Sequence, residues 1–269
     1  MPYVENEGAR LYWEQRGSGS PLLLIMGLSF THEMWFRVLP WVERDFHVLL
    51  FDNRGMGRSS VPRGPYSMRQ MARDAVAVLD AAHVPAAHVI GASMGGMIAQ
   101  EMAYRFPQRV LSLILACSSY SGLFARWPDL RCVPFPLPWM RLSRYERERS
   151  LQRLLYSPTT PLERIEEDLA VRSRCSWSKQ GFWNQFAAIL MWNSYRWLPR
   201  LRVPTLVVHG EQDRLIPPAN ARTLARRIPG ARYCSIANAG HILMTDQPEA
   251  CRTAILHFLQ QGAAGFPRT

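Results

Sequence analysis

Short unbroken apolar runs recur along the chain at intervals that leave room for a helix between them. Residues 21–26 (Pro-Leu-Leu-Leu-Ile-Met) end at Gly27, and 46–51 end at Asp52. Further runs cover 88–92, 111–116, 205–209 and 233–236. Runs of this kind, without polar alternation, are what a strand buried on both faces requires. Between them, segments 34–44, 68–82, 95–106, 219–227 and 248–260 carry apolar residues at helical spacing. The chain opens differently: Tyr, Val, Leu and Trp flank Asn6-Glu7-Gly8 over residues 3–15, which predicts two short strands around a turn.

Strands alternating with helices predict an α/β fold, a parallel sheet covered by helices on both faces, with sites at the carboxyl ends of the strands. The alternation stops after Ser119. Residues 120–200 are rich in Pro, Trp and Arg and offer helical stretches over 141–156, 162–174 and 182–192. The simplest organisation is a core domain made of 1–119 and 201–269, interrupted by a helical cap over 120–200. No internal repeat or low-complexity tract is apparent.

Composition narrows the classes. A chain of 269 residues with 48% hydrophobic and 20% charged residues can bury a substantial core and is not disordered or fibrous. The formal net charge of +11 comes almost wholly from arginine, Lys179 being the only lysine. These arginines are spread singly and no nucleic-acid motif accompanies them, so no nucleic-acid partner is expected. Cys117, Cys132, Cys175, Cys234 and Cys251 are odd in number and far apart, which suggests neither a zinc site nor a disulfide framework. The acidic start and the lack of an apolar run near ~20 residues give no sign of a signal or a membrane span, so a cytoplasmic location is expected.

Candidate chemistry begins at Gly91-Ala92-Ser93-Met94-Gly95, a G-x-S-x-G string between an expected buried strand and an expected helix. That is the setting of a nucleophile elbow, in which the turn is so tight that the positions two before and two after the serine must lack bulk. A serine hydroxyl needs an adjacent base, and the base needs an orienting carboxylate. His241, in Asn238-Ala239-Gly240-His241, and Asp213, in His209-Gly210-Glu211-Gln212-Asp213, follow the last two expected strands. The order Ser93, Asp213, His241 suits an α/β sheet carrying such an elbow. Glu211 is the rival acid. His32, His47, His83, His88, His209 and His257 read as surface or core residues. The developing oxyanion needs two donors, for which the backbone N–H groups of Met94 and Leu28 are the candidates.

With these pieces the chain resembles the α/β-hydrolases over nearly its whole length. The matching segments are Met26-Gly27-Leu28, Asp52-Asn53-Arg54-Gly55-Met56-Gly57-Arg58-Ser59, the elbow, Gly210 to Asp213, and Gly240-His241. The resemblance implies a mostly parallel eight-stranded sheet and serine esterase chemistry without metal or organic cofactor. Residues 28–95 are similar to 3-oxoadipate enol-lactonases in particular, and carboxylesterases share most of this stretch. Many members carry His-Gly where this chain has Met26-Gly27, which removes an imidazole that commonly braces the loop. A serine at position 93 argues against dehalogenases and epoxide hydrolases, whose nucleophile is Asp. Arg54 and Arg58 read as anchors of their loop, bonding backbone carbonyls.

Residues 120–200 hold six of the nine tryptophans and a net charge of +6. Trp127, Trp139, Trp183 and Trp192 are therefore candidates for substrate contact, although any one of them can equally pack the cap onto the core. The expected partner is a small ester, with an anionic lactone as the alternative and a perhydrolase or a non-catalytic receptor behind them. Activity should fall on acidification, since only neutral imidazole accepts the serine proton.

Overall fold

The computed structural model describes residues 3–126 and 151–261. Strands β1 (Tyr3–Asn6) and β2 (Ala9–Arg16) form the opening hairpin. Its two-residue turn has positive φ at both Glu7 and Gly8, the handedness that matches the twist of paired strands. The remaining strands are β3 (Ser20–Ile25), β4 (Phe46–Phe51), β5 (Ala87–Ala92), β6 (Val110–Ala116), β7 (Thr205–Gly210) and β8 (Arg232–Ile236). They make one eight-stranded sheet in the order β1-β2-β4-β3-β5-β6-β7-β8. From β4 to β8 every pairing is parallel, and β2 runs antiparallel to β4.

Among the described residues the helices include α1 (Leu39–Val42), α2 (Met68–Ala81), α3 (Met94–Arg105), α4 (Leu162–Arg174), α5 (Lys179–Met191), α6 (Pro218–Arg227), α7 (Leu243–Asp246) and α8 (Pro248–Gln261). The single helix expected over 34–44 is instead a 3-10 turn (His32–Arg37) followed by α1. Pro40, which lacks an N–H, sits in the first turn of α1 and prevents one continuous hydrogen-bond ladder. Of the helix expected over 141–156, residues 151–155 are helical and 141–150 lie outside the described residues.

Successive strand residues face opposite sides, so two cores form. Leu23, Ile25, Leu49, Val89, Leu113 and Val207 pack against α2, α3 and α6. Leu22, Leu24, Val48, Ile90, Ile114 and Val208 pack against Trp35, Val42 and the Ile255 and Phe258 face of α8. Because β3 lies between β4 and β5, the chain leaves β3 in one direction and returns at β5 in the other. Their carboxyl ends therefore border the crevice where such sheets place ligands. Gly27 follows β3 there and Ser93 follows β5.

The long connection from β6 to β7 carries α4 and α5. Its ends meet at a neck, where Ser121 and Asn193 form an antiparallel bridge and Ser194 N–H donates to Tyr120 O at 2.8 Å.

Candidate active site

Ser93 joins β5 directly to α3 in a left-handed conformation, φ 55° and ψ −118°, which costs a non-glycine residue about 1–3 kcal/mol and persists only where the surroundings impose it. They do so through three bonds. Ser93 N–H donates to Ala116 O on β6 at 2.8 Å, while Ser93 O accepts from Gly96 N–H at 3.0 Å and from the Ser118 hydroxyl at 2.8 Å. The glycines of the motif have a steric reason. A Cβ on Gly91 would lie 2.3 Å from Gly95 O, and one on Gly95 would lie 2.0 Å from Ile25 O.

His241 follows β8. Its Nε2 lies 3.1 Å from Ser93 Oγ and its Nδ1 lies 2.9 Å from Asp213 Oδ2. An ionised carboxylate only accepts, so the proton belongs on Nδ1, and Nε2 is left to accept from the Ser93 hydroxyl. Asp213 is buried after β7, where Oδ1 accepts the N–H groups of Leu215 at 3.0 Å and Ile216 at 2.8 Å. Burial pushes this carboxyl up. The charge of His241 and hydrogen bonds from His209 and His241 outweigh that push and hold it well below the usual carboxylate range. Glu211, the rival acid, is exposed and accepts from the Ser235 hydroxyl at 3.2 Å.

Two backbone amides border the serine. Met94 is the first residue of α3, where an N–H has no acceptor within the helix. Gly27 presses on the other side, since a Cβ there would lie 3.1 Å from Ser93 Cβ, and this brings the Leu28 peptide alongside. Among the described residues Leu28 N–H has no acceptor.

Some supports carry no obvious signal in the sequence. His209, expected as a bystander, is fully buried with Nε2 3.2 Å from Asp213 Oδ2 and 2.8 Å from Ile216 O. His32, expected as a surface or core residue, is buried beside Asp52. Its ring Nδ1 and its backbone N–H meet Asp52 Oδ1 at 2.7 and 2.9 Å. Burial would lower the His32 pKa, but the hydrogen bond and charge of Asp52 raise it. Arg54 reaches the carbonyl of Asn6 at 3.3 Å, as its reading as a loop anchor implies, but its two shorter bonds, each 2.6 Å, go to the buried carboxylate of Asp74. Arg58 donates to the Tyr12 hydroxyl at 2.6 Å rather than to a carbonyl.

Trp192 is buried, donates Nε1–H to Glu101 at 2.9 Å and lies edge-on to Trp197, which ties the connection to α3. Trp183 is 52% exposed on α5, edge-on to Phe182 and Phe186. Trp127 and Trp139 lie outside the described residues. Cys117, His209 and Asp213 bring metal-ligand atoms within 4.8 Å of one another. The Asp213 oxygens are committed to His241 and two amides, and burial together with the Asp213 charge holds the Cys117 thiol well above its ordinary value, so this group reads as a hydrogen-bonded support.

Residues 20–248 match the model of the alpha/beta hydrolase fold family. The poly(3-hydroxyalkanoate) depolymerase of Ectopseudomonas oleovorans is 33% identical over 247 residues, 90% of this chain and 85% of that protein. Among solved structures, an enol-lactonase from Burkholderia xenovorans LB400 superposes with a TM-score of 0.84 at 25% identity, covering 96% of this chain and all of the other. A thermophilic esterase from Thermogutta terrifontis gives 0.80 at 27% identity, covering 97% of each chain. With its eight-stranded sheet, its elbow and a family match spanning most of its length, this chain belongs to the α/β-hydrolase family.

Proposed function

We propose that this protein is a serine hydrolase that cleaves carboxylic esters through an acyl-enzyme, with Ser93 as nucleophile, His241 as base and Asp213 as its orienting acid. The observation that carries the reading is the unbroken chain of contacts from Ser93 Oγ to His241 Nε2 at 3.1 Å and from His241 Nδ1 to Asp213 at 2.9 Å. In the first half-reaction Ser93 Oγ bonds to the ester carbonyl carbon and its proton passes to Nε2. Asp213 stabilises the imidazolium, and the N–H groups of Leu28 and Met94 receive the oxyanion. The tetrahedral species then expels the alcohol, which takes the proton from Nε2. In the second half water gives a proton to the same nitrogen and bonds to the acyl carbon, and Ser93 Oγ then leaves with that proton as the acid is released. The residues present supply every one of these roles without a cofactor.

In this reading 1–119 with 201–269 form the catalytic core and 120–200 form a cap, for which the neck at Tyr120–Gly122 and Trp192–Ser194 is the support. Trp183 is offered as a cap residue for apolar substrate, and the partner is a small-molecule ester. No described helix is long and apolar enough to cross a membrane. A cytoplasmic location is supported by the free thiols of Cys117, Cys175, Cys234 and Cys251.

A second reading, hydrolysis of an anionic lactone, is favoured by the likeness to the enol-lactonase and by the +6 charge of residues 120–200. Turnover of a panel of short aryl esters and of neutral and carboxylated lactones tests both. Ser93→Ala and His241→Ala should each lower kcat by about 10⁴-fold or more, and full activity in either variant would refute the assignment. A preference for carboxylated lactones that weakens with added salt would select the second reading.

A further inference from the structure

The loop that carries the Leu28 amide is held from three sides, and one of the holders comes from α5. Asn53 Nδ2–H donates to Met26 O at 2.8 Å, and Phe30 N–H donates to Gly27 O at 3.4 Å. Because a trans peptide points its C=O and N–H in opposite directions, fixing Gly27 O also fixes the direction of Leu28 N–H. The next peptide belongs to Ser29, which has φ 65°, a conformation that a non-glycine residue keeps only when something holds it. Its N–H is directed at Gln185 Oε1, 3.4 Å away on α5. The other end of the same amide, Gln185 Nε2–H, donates to Arg54 O at 2.9 Å.

Gln185 has no solvent exposure, although its helix lies 156 positions along the chain from Ser29. The approach is built for contact. Gly181, one turn earlier on α5, rests on Gly55 so closely that a Cβ would come 1.9 Å from Gly55 O. Arg54 is itself pinned by its paired bonds to Asp74. The Gln185 amide therefore spans two loops of the core, one rigid and one strained, and its fixed end is the rigid one.

We propose that Gln185 is a positioning residue for the oxyanion: by seating α5 on the Arg54 carbonyl and capping Ser29 N–H, it holds the Leu28 amide in its donating orientation. This rests on the hydrolase reading above. Gln185 touches no reacting atom. Its contribution is to make the geometry of the oxyanion donors depend on the docking of α5, so that a cap lifted from the core releases the Leu28–Ser29 turn.

The test uses the full chain, a short aryl ester and a trifluoromethyl ketone that adds to the serine as a tetrahedral oxyanion. Gln185→Met keeps the side-chain length and removes both bonds; Gln185→Glu keeps the acceptor facing Ser29. In Gln185→Met, kcat should fall about 10–100-fold, the scale of a small misplacement of a catalytic group. KM should stay within about twofold, and ketone affinity should drop in parallel with kcat. Gln185→Glu should recover part of both losses. A folded Gln185→Met with unchanged kcat and ketone affinity would overturn the proposal, as would equal losses in both variants. Should Gln185→Met fail to fold, partial and matching losses of kcat and ketone affinity in Gln185→Glu, with KM within about twofold, would support it, since that variant keeps the acceptor for Ser29 N–H but loses the donor to Arg54 O; wild-type values of both, or a loss of kcat without the matching loss of ketone affinity, would refute it. Wild-type protein that neither turns over the ester nor binds the ketone would overturn the hydrolase reading itself, and this inference with it.

Discussion

Ser93 and His241 stand 3.1 Å apart, yet different parts of the chain hold them. Ser93 is fixed from within the sheet. Its N–H is bonded to the neighbouring strand, its flanking glycines press on backbone oxygens, and the loop beside it is tied to β4 through Asp52 and His32. His241 is fixed from outside. Its own N–H and that of Ile242 both donate to Leu155 O, at 2.8 and 3.0 Å, in the connection between β6 and β7. Asp246 completes the clasp by accepting from Gly240 N–H at 2.5 Å, Ser157 N–H at 3.3 Å and the Thr160 hydroxyl at 2.5 Å. The proposed nucleophile is thus part of the core, whereas the proposed base is held in place by the same inserted segment that we propose covers the site. The position of the base, and with it activity, should be more sensitive than stability to disturbance of that segment.

Substitutions on each side can break this contrast. The largest loss should follow Gly95→Ala, whose Cβ would sit 2.0 Å from a strand carbonyl that cannot retreat without opening the sheet. Overpacking of this severity should cost about 3 kcal/mol or more, read as a lowered midpoint in urea, with activity falling only as the fold does. Gly240→Ala should behave differently. Its Cβ would lie 2.9–3.0 Å from the backbone of Leu155, Tyr156 and Ser157, a far smaller overlap than at Gly95, which a shift of a few tenths of an ångström in this segment relieves. Stability should fall by about 1 kcal/mol or less while kcat drops about tenfold, because a displaced imidazole no longer meets the serine squarely. Equal behaviour of the two variants would erase the distinction.

The smallest effect concerns pH. His32 is raised by its partner Asp52 despite burial, so the pair contributes fully to stability below the ordinary imidazole value of about 6.5 and loses that contribution as pH rises through the higher folded value. Thermal midpoints of the wild type and His32→Gln, compared from about pH 6 upward, should therefore converge as the solution becomes more alkaline. A gap that stays constant or widens would show that the ion pair does not anchor this side of the site.

The same contrast explains what could be read in the sequence. The elbow is legible because its constraint is local: five consecutive residues contain the glycines, the serine and the turn. Asp213 and His241 are legible because each follows an apolar run that ends a strand. The clasp on His241 is not legible, since Leu155 contributes only a carbonyl, which every residue has, from 86 positions away. Arg54 was identifiable as an anchor, but its carboxylate partner, Asp74, lies 20 residues on and in another element. Gln185 left a faint signal, an uncharged amide on a helix face that otherwise presents the small residues Gly181 and Ala188. His32 and His209 could not be ranked above the other histidines, because their roles depend on carboxylates brought beside them by the fold.

The central claim, that Ser93 is a nucleophile activated by His241, is tested most directly by treating the protein with a fluorophosphonate and mapping the adduct by mass spectrometry. A single phosphonylated peptide containing Ser93 should form in the wild type, be absent in Ser93→Ala and form far more slowly in His241→Ala. An adduct on another residue, or equal labelling with and without His241, would contradict it.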